Sequence, residues 1–253
     1  MKYIKKFNQH LLYENYKSGN EFPETMDNYV VSLCEEHNKI NYDKYVKQYD
    51  YIEIGGIKWA TMNLGASSVT DTGLFFSWAD TQGYTKEQGL SGEKSFLQAN
   101  YKYYDAEYYH ENYGYTKYNS EDGLLVLDPS DDAATVIMGS NWKTPSLDDF
   151  QILVNSCNIT VTNNYQDSNV SGVIFTDKTD SSKVLFMPFV GSFSYYDNDY
   201  MHDDYVWLWT ANEGSFCGPG YASVFVVHDD GYPVFSDACD RAEGLAIRPI
   251  CVA

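Results

Sequence analysis

A thiol activated by a neighbouring imidazole is a common covalent catalyst, and the chain contains four residues of these types in its C-terminal part: Cys217, Cys239, His202 and His228. Nothing in their spacing supports a nucleophile–base pair. Structural thiols and exposed histidines are the commoner reading of such residues. We therefore predict no catalytic residue and no enzymatic activity.

The acidic stretch at residues 197–204 is the segment best suited to attract Ca²⁺. An EF-hand loop that began at Asp197 would need glycine at its sixth position and glutamate at its twelfth. These positions hold His202 and Leu208. Glycine signatures for phosphate or dinucleotide binding are absent as well. We expect no cofactor and no metal, with calcium in this acidic loop as the open alternative.

Aromatic residues are abundant, since the chain contains 24 Tyr, 13 Phe and 5 Trp. A tyrosine ring offers a broad apolar face, a polar tip and few rotatable bonds, which suits a binding surface. Near the C-terminus such residues are interleaved with aspartates, as in an antibody paratope. They are Tyr195, Tyr196, Tyr200, Tyr205, Trp209, Phe216 and Phe235, with Asp197, Asp199, Asp203, Asp204, Asp237 and Asp240. Because alternate strand residues face opposite sides, we expect about half of them in the core.

The charge of the chain excludes some classes of partner. A net charge of −19, from 36 acidic and 17 basic residues, repels nucleic-acid phosphates and anionic lipid surfaces. There is no run of 18 apolar residues, so we expect no membrane insertion. The N-terminal residues also lack the apolar segment of a secretion signal, which predicts synthesis and assembly in the cytoplasm.

Cysteine usage agrees with a reducing compartment. The five cysteines are odd in number and none forms a CxxC pair, so we expect mostly free thiols. A bridge between Cys157 and Cys251 stays open from the sequence alone.

Two helices and a series of short strands must position these residues. One predicted helix begins near residues 128–130 and runs to Gly139, and the second begins at Ser146 with Asp149 in a capping box. Hairpin strands flank Gly55-Gly56. The other predicted strands lie at residues 173–175, 184–187, 205–209, 222–227 and 244–248. The expected fold class is α+β with short antiparallel sheets.

The chain divides into two parts that differ in their sequence patterns. Residues 1–48 are too few for a core of their own and are predicted to attach the protein to a larger assembly. Residues 49–253 form the predicted binding domain. Within it, residues 84–123 are polar and rich in tyrosine, which indicates a long insertion.

Four blocks carry a resemblance to a known family. They are residues 58–66 (KWATMNLGA), 75–81 (FFSWADT), 131–134 (DDAA) followed by 139–146 (GSNWKTPS), and 244–251 (GLAIRPIC). In this order they resemble the Fibrobacter succinogenes major paralogous domain, found in Bacteroidetes and their phages. The chain departs from the family at Met62, where a cysteine is common, and at Leu208-Trp209, where small hydroxyl residues are usual.

The resemblance implies a C-type-lectin-like fold, which is similar to that of formylglycine-generating enzymes and of the variable proteins of diversity-generating retroelements. In such variable proteins the diversified residues lie in the C-terminal part, here about residues 205–247. Combined with the aromatic–acidic pattern, it gives one set of predicted ligand-binding residues: Tyr195, Tyr196, Tyr205, Leu208, Trp209, Ser215, Phe216, Phe235, Asp237 and Asp240.

The expected function is therefore ligand recognition without chemistry, by a receptor-binding or display protein of a phage virion. Its expected partner is a bacterial surface protein or glycan. A cell-surface adhesin or lipoprotein of a gut bacterium is the first alternative. An oxidase similar to formylglycine-generating enzymes is the second, and it requires Cys217 and Cys239 within disulfide range. Ligand identity, oligomeric state and actual diversification stay open.

Overall fold

Residues 50–108, 112–214 and 218–252 are the part of the chain described by the structure, a computed structural model. All of them belong to one unit, Gln48–Ala253. The predicted attachment segment, residues 1–48, lies wholly outside the described residues. The described part contains three α-helices: α1 Lys86–Leu90, α2 Ala133–Met138 and α3 Leu147–Ser156. Its strands are β1 Tyr51–Ile54, β2 Ile57–Ala60, β3 Trp142–Lys143, β4 Cys157–Thr162, β5 Gly172–Asp177, β6 Val184–Pro188, β7 Ser192–Phe193, β8 Tyr200–Met201, β9 Val206–Glu213, β10 Tyr221–Val227, β11 Pro233–Asp240 and β12 Ile250–Cys251.

The predicted hairpin at the start of the domain is confirmed. Strands β1 and β2 pair antiparallel across Gly55 and Gly56, whose φ angles of 62° and 78° are easily adopted only by glycine. The sheet continues in the order β1-β2-β12-β3. A strand near the C-terminus therefore lies between two strands from earlier in the sequence.

Both predicted helices form, and local signals explain where they begin. Ser146 and Asp149 make the expected capping box at the start of α3, and Phe150 and Leu153 are its buried residues. Asp132 caps α2 by accepting the N–H groups of Ala134 and Thr135. The short helix α1 is an additional element that the sequence reading missed.

Two three-stranded antiparallel sheets enclose the main core, with orders β4-β5-β6 and β11-β10-β9. Phe150 of α3 stacks on Phe225 of β10 with ring centroids 4.3 Å apart, and Phe175 of β5 lies 6.3 Å from Phe225. The register of β10 shifts between Ala222 and Val224 against both neighbouring strands. Such a bulge bends the sheet and redirects the side chains that follow it.

The prediction of a strand at residues 244–248 is wrong, because the segment forms isolated bridges and no strand. Gly244, Leu245 and Ala246 make single bridges to three different segments, at Phe193, Phe76 and Leu208 respectively. No continuous ladder forms, although the segment is buried as a strand would be. The fold class itself is confirmed as α+β with mainly antiparallel sheets, with three helices in the described part instead of two.

Candidate functional site

The sheet β11-β10-β9 has two faces with different surroundings. Val206, Leu208 and Phe225 point into the main core. Trp207 is half-buried on the opposite side, where its ring lies 4.8 Å from that of His202. Because neighbouring residues of a strand alternate between faces, Trp209 lies on the same side as Trp207, and it is only 1% exposed, so this face is largely covered as well.

Two predicted binding residues are buried in the interior of the protein. Leu208 and Trp209 are each only 1% exposed. Leu208 belongs to the main core, because strand alternation turns it inward, and the indole N–H of Trp209 donates to the Phe76 carbonyl oxygen at 2.7 Å. Neither side chain can contact a ligand in this structure, so their predicted place on the binding surface is wrong.

Phe235 and Tyr205 are partly buried, so a ligand could contact only part of each side chain. Phe235 packs against the main core, with its ring 5.4 Å from that of Phe225. Tyr205 is sandwiched between the imidazoles of His202 and His228, at centroid distances of 5.4 and 4.5 Å and nearly parallel. Both faces of its ring are covered, which leaves the ring edge and hydroxyl for a ligand.

Tyr195 and Tyr196 lie where a binding residue must lie, with 37% and 83% of their surfaces exposed. Their loop is tied down by its backbone: the Tyr195 carbonyl accepts the Gln98 N–H at 3.3 Å, and the Tyr196 N–H donates to Ser194 Oγ at 3.1 Å. Exposed aromatic rings on a fixed backbone make good anchors, because little conformational freedom is lost on binding.

Ser215 and Phe216, also predicted to bind ligand, lie outside the described residues, as does Cys217. The backbone of Asp237 belongs to β11, but its side chain is likewise outside the description. These residues stay predictions.

Asp240 lies at the end of β11 beside a second carboxyl that the sequence reading passed over. Asp240 and Glu243 bracket a tight turn in which the Glu243 N–H donates to the Asp240 carbonyl oxygen at 3.0 Å. Tyr195 lies within electrostatic range of Asp240, Tyr221 and Glu243. We call these residues the acidic aromatic cluster: Tyr195, Tyr196, Tyr221, Asp240 and Glu243. Two acidic residues three positions apart after a strand are the sequence signal that would have indicated Glu243.

The carboxyls of the acidic aromatic cluster titrate far above their usual range. Burial raises the pKa of Asp240 to about 6, and the Ala242 N–H and the charge of Arg241 offset only part of the rise. Burial also raises the pKa of Glu243 to about 7; the Cys239 hydrogen bond opposes this rise, and the Asp240 charge adds to it. Such groups change charge near neutral pH and suit a ligand that supplies a cation or hydrogen-bond donors.

The thiol beside this cluster is not activated. Cys239 is buried and donates to Glu243 Oε2 at 3.2 Å, and burial together with the nearby carboxylates raises its pKa well above the usual value. Cys157 and Cys251 are free thiols, so the bridge left open by the sequence is not formed. A protonated, buried thiol is a poor nucleophile.

Arg241 fixes the turn that carries both carboxyls. Its guanidinium, fully buried, donates to the carbonyl oxygens of Tyr118 and Tyr221 at 2.8 and 2.9 Å and pairs with Glu213 at 3.1 Å. These contacts join the end of β11 to the tyrosine-rich insertion, where the charge of Asp240 also contributes to the raised pKa of Tyr115. The insertion is therefore structural support for the cluster.

The insertion is anchored in turn on Asp131, just before α2. One carboxylate oxygen accepts Lys102 Nζ at 2.9 Å and Tyr103 Oη at 2.7 Å. The other accepts Lys117 Nζ at 2.7 Å and Tyr118 Oη at 2.8 Å. Several tyrosines of the insertion are therefore buried and cannot contact a ligand, since Tyr101, Tyr115 and Tyr118 are at most 4% exposed.

The described residues contain no group of three or more His, Cys, Asp and Glu side chains placed to hold a metal ion. Within that same part of the chain, no helix combines the length and apolar character needed to cross a membrane.

Fold and site together define an α+β protein, mainly of antiparallel sheet, with an acidic aromatic surface cluster. No model of a protein family matches the chain. No curated protein and no solved structure matches it either.

Proposed function

We propose that this chain is a non-enzymatic ligand-recognition protein with a C-type-lectin-like binding domain, displayed on a phage virion. The observation that carries the proposal is the acidic aromatic cluster. It combines the exposed rings of Tyr195 and Tyr196 with two carboxyls, Asp240 and Glu243, whose charges act on Tyr195 and which each accept one hydrogen bond from the described residues. Aromatic anchors beside adaptable polar groups are the composition of a recognition surface.

The setting of the cluster supports recognition over catalysis. The polar interior beneath it holds the turn at Arg241 in place, and the described thiol of the cluster, Cys239, is not activated because burial raises its pKa well above the usual value. A ligand site on a rigid scaffold needs no such group. The four sequence blocks that resemble the major paralogous domain support a lectin-like scaffold for this surface.

The first test is binding of fluorescently labelled full-length protein to intact cells of a panel of gut Bacteroidetes, measured by flow cytometry. We expect saturable binding to some strains and at least tenfold weaker binding after Tyr196→Ala, because a central exposed aromatic anchor commonly contributes about 2 kcal/mol. Tyr232→Ala is the matched control. Tyr232 is 68% exposed and lies in the turn at the opposite end of the β10–β11 hairpin.

Absence of binding to every strain, or equal losses for the two variants, would contradict recognition by this cluster. The virion part has its own test. Mass spectrometry of purified phage particles from a lysogen or lysate that encodes the chain is expected to detect it as a particle component, and particles that lack it would overturn the display proposal.

A further inference from the structure

Strand β1 lies at the edge of the sheet β1-β2-β12-β3. The two-residue turn that follows it makes Ile54 and Ile57 a hydrogen-bonded pair, and the two kinds of pair alternate along the hairpin from there. The backbone N–H and C=O groups of Ile52 and Ile54 therefore point to β2. Those of Tyr51 and Glu53 point away from the sheet, and no described residue forms a hydrogen bond with them.

The usual ways of protecting a sheet edge are missing at β1. An open edge is commonly blocked by a proline, a bulge, a covering segment or a charged side chain. The strand has no proline, and its register with β2 is continuous. Tyr51 is 51% exposed, and Glu53 is exposed as well. Glu53 is the one charged residue of the strand, and Lys58 lies directly across from it on β2, so the charge of this edge is balanced locally.

The backbone of this edge is complementary to a second copy of itself. With a two-fold axis at Ile52, Tyr51 of one copy lies opposite Glu53 of the other in an antiparallel pair. Because both residues have outward backbone groups, each of the two Tyr51–Glu53 pairs exchanges both of its N–H···O bonds. An axis at Glu53 instead places two carboxylates directly opposite each other, which is unfavourable.

The side chains complement one another in the same register. Lys58 Nζ lies over the ring of Tyr51, 5.2 Å from its centroid. Glu53 of the second copy lies beside that ring, so its carboxylate meets the ammonium group across the contact. On the inner face, the half-buried Ile52 meets its own copy at the axis and loses exposed apolar surface. The net charge of −19 repels a second copy, but opposite charges face each other at this edge.

We propose that the protein forms a two-fold dimer by antiparallel pairing of β1 with β1 of a second copy, with Ile52 on the axis. The two four-stranded sheets then join into one continuous sheet. Because both copies use the same edge, the pairing closes at two chains. The inference goes beyond the proposed function and does not depend on it. A dimer displays two acidic aromatic clusters, and two linked sites attach more strongly to a surface that carries many ligands.

The first experiment changes the charges at the contact in the full-length chain. Sedimentation equilibrium at about 0.15 M salt measures self-association while distant charges are screened. The wild type is expected to show a concentration-dependent equilibrium between monomer and dimer. Glu53→Lys leaves only cations at the contact, and Lys58→Glu leaves only carboxylates. Each variant alone is expected to dimerise at least tenfold more weakly, because like charges then face each other.

Mixing the two variants separates pairing between chains from an effect on the fold of each chain. Each variant keeps its like-charged cross-strand pair after mixing, so any loss of hairpin stability persists. The Glu53→Lys chain and the Lys58→Glu chain present opposite charges to each other, and their mixture is expected to regain the dimer. A mixture no stronger than the separate variants overturns the proposal. A wild type that is monomeric at every concentration, or a dimer that neither substitution weakens, overturns it as well.

A disulfide tests the position of the two-fold axis. Opposite residues of a non-hydrogen-bonded pair have Cα atoms about 4.5 Å apart, which is within the range of a disulfide. Ile52→Cys is therefore expected to give a covalent dimer under mild oxidation, detected on a non-reducing gel above the wild-type background of native thiols. Val184→Cys is the matched control, because Val184 is 37% exposed on β6, an edge strand of another sheet. Equal dimer yields from the two cysteine variants would refute the pairing.

Discussion

Asp131 and Asp240 are the same residue type, and each is only 6% exposed, yet their surroundings differ completely. Asp131 accepts four hydrogen bonds from two lysines and two tyrosines, whereas Asp240 accepts one backbone N–H. Burial raises the pKa of Asp131, but its four donors outweigh this and hold it well below the usual range. At Asp240 burial prevails and the pKa rises to about 6.

The number of donors, not the depth of burial, therefore decides the charge of these carboxyls. A carboxylate whose lone pairs are all occupied joins segments of the fold and has nothing left for a ligand. A carboxyl with unused lone pairs at a surface opening raises the energy of the unbound protein, and a ligand can lower it again. The first arrangement is structural, and the second is suited to binding.

The largest effect is expected from removing the carboxylate at Asp131. Asp131→Ala leaves Lys102 and two tyrosine hydroxyls without their acceptor and Lys117 with one of its two, so the free energy of unfolding at pH 7 is expected to fall by about 3 kcal/mol or more. Urea denaturation measures it. Asp128 is another partner of Lys117, and its side chain is 38% exposed. Asp128→Ala is therefore expected to lower the free energy of unfolding by less than about 1 kcal/mol. Equal effects at the two positions would refute the structural role of Asp131.

The opposite sign is expected at Glu243. Its folded-state pKa of about 7 exceeds the ordinary value of 4.5, so the folded protein binds this proton more tightly than the unfolded chain does. The wild type therefore loses stability as pH rises from about 4.5 through 7. Glu243→Gln avoids the loss and is expected to be more stable than the wild type by about 2 kcal/mol at pH 8.

Urea denaturation of this pair at pH 4 supplies the internal control, because both chains are then neutral at residue 243 and are expected to unfold together. A Glu243→Gln protein that is less stable than the wild type at pH 8 would show that the carboxylate has a stabilising partner in the unbound protein. It would then refute the conclusion that Glu243, unlike Asp131, has too few donors.

The smallest effect is expected at the exposed edge of the acidic aromatic cluster. Tyr196 is 83% exposed, so Tyr196→Ala is expected to change the free energy of unfolding by no more than about 0.5 kcal/mol. Thermal unfolding followed by circular dichroism checks this. A larger loss would mean that Tyr196 packs in the fold, and a binding defect of this variant would then no longer report on ligand contact.

Local signals explain what the sequence could predict of the fold. The capping box of Ser146 and Asp149 and the paired glycines of the first hairpin act through near neighbours, and both formed as expected. The segment at residues 244–248 has the composition of a strand, but its partners come from three separate segments. Strand β12 has only two residues, so nothing but long-range pairing defines it.

The candidate site was predictable in part for the same reason. The aromatic–acidic pattern of the sequence predicted Tyr195, Tyr196 and Asp240. The two tyrosines are exposed, and Asp240 is the last residue of β11. Leu208 and Trp209 were wrongly assigned to the surface, because tertiary packing turns Leu208 into the main core and covers Trp209 with the segment at Phe76. The spacing of Asp240 and Glu243 after a strand could have indicated Glu243, but its raised pKa depends on burial near Cys239 and Asp240 and is not readable from that spacing.

The position of β12 also has a consequence for how the protein is made. Ile250 pairs with Trp59 on one side and Lys143 on the other, so the middle of this sheet is synthesised long after both of its neighbours. Strands β1 and β2 leave the ribosome well before residue 250, and their apolar side chains stay uncovered until it follows. Synthesis is therefore the stage at which the protein most needs protection from aggregation, and chaperone supply is expected to limit its yield more than the stability of the finished fold.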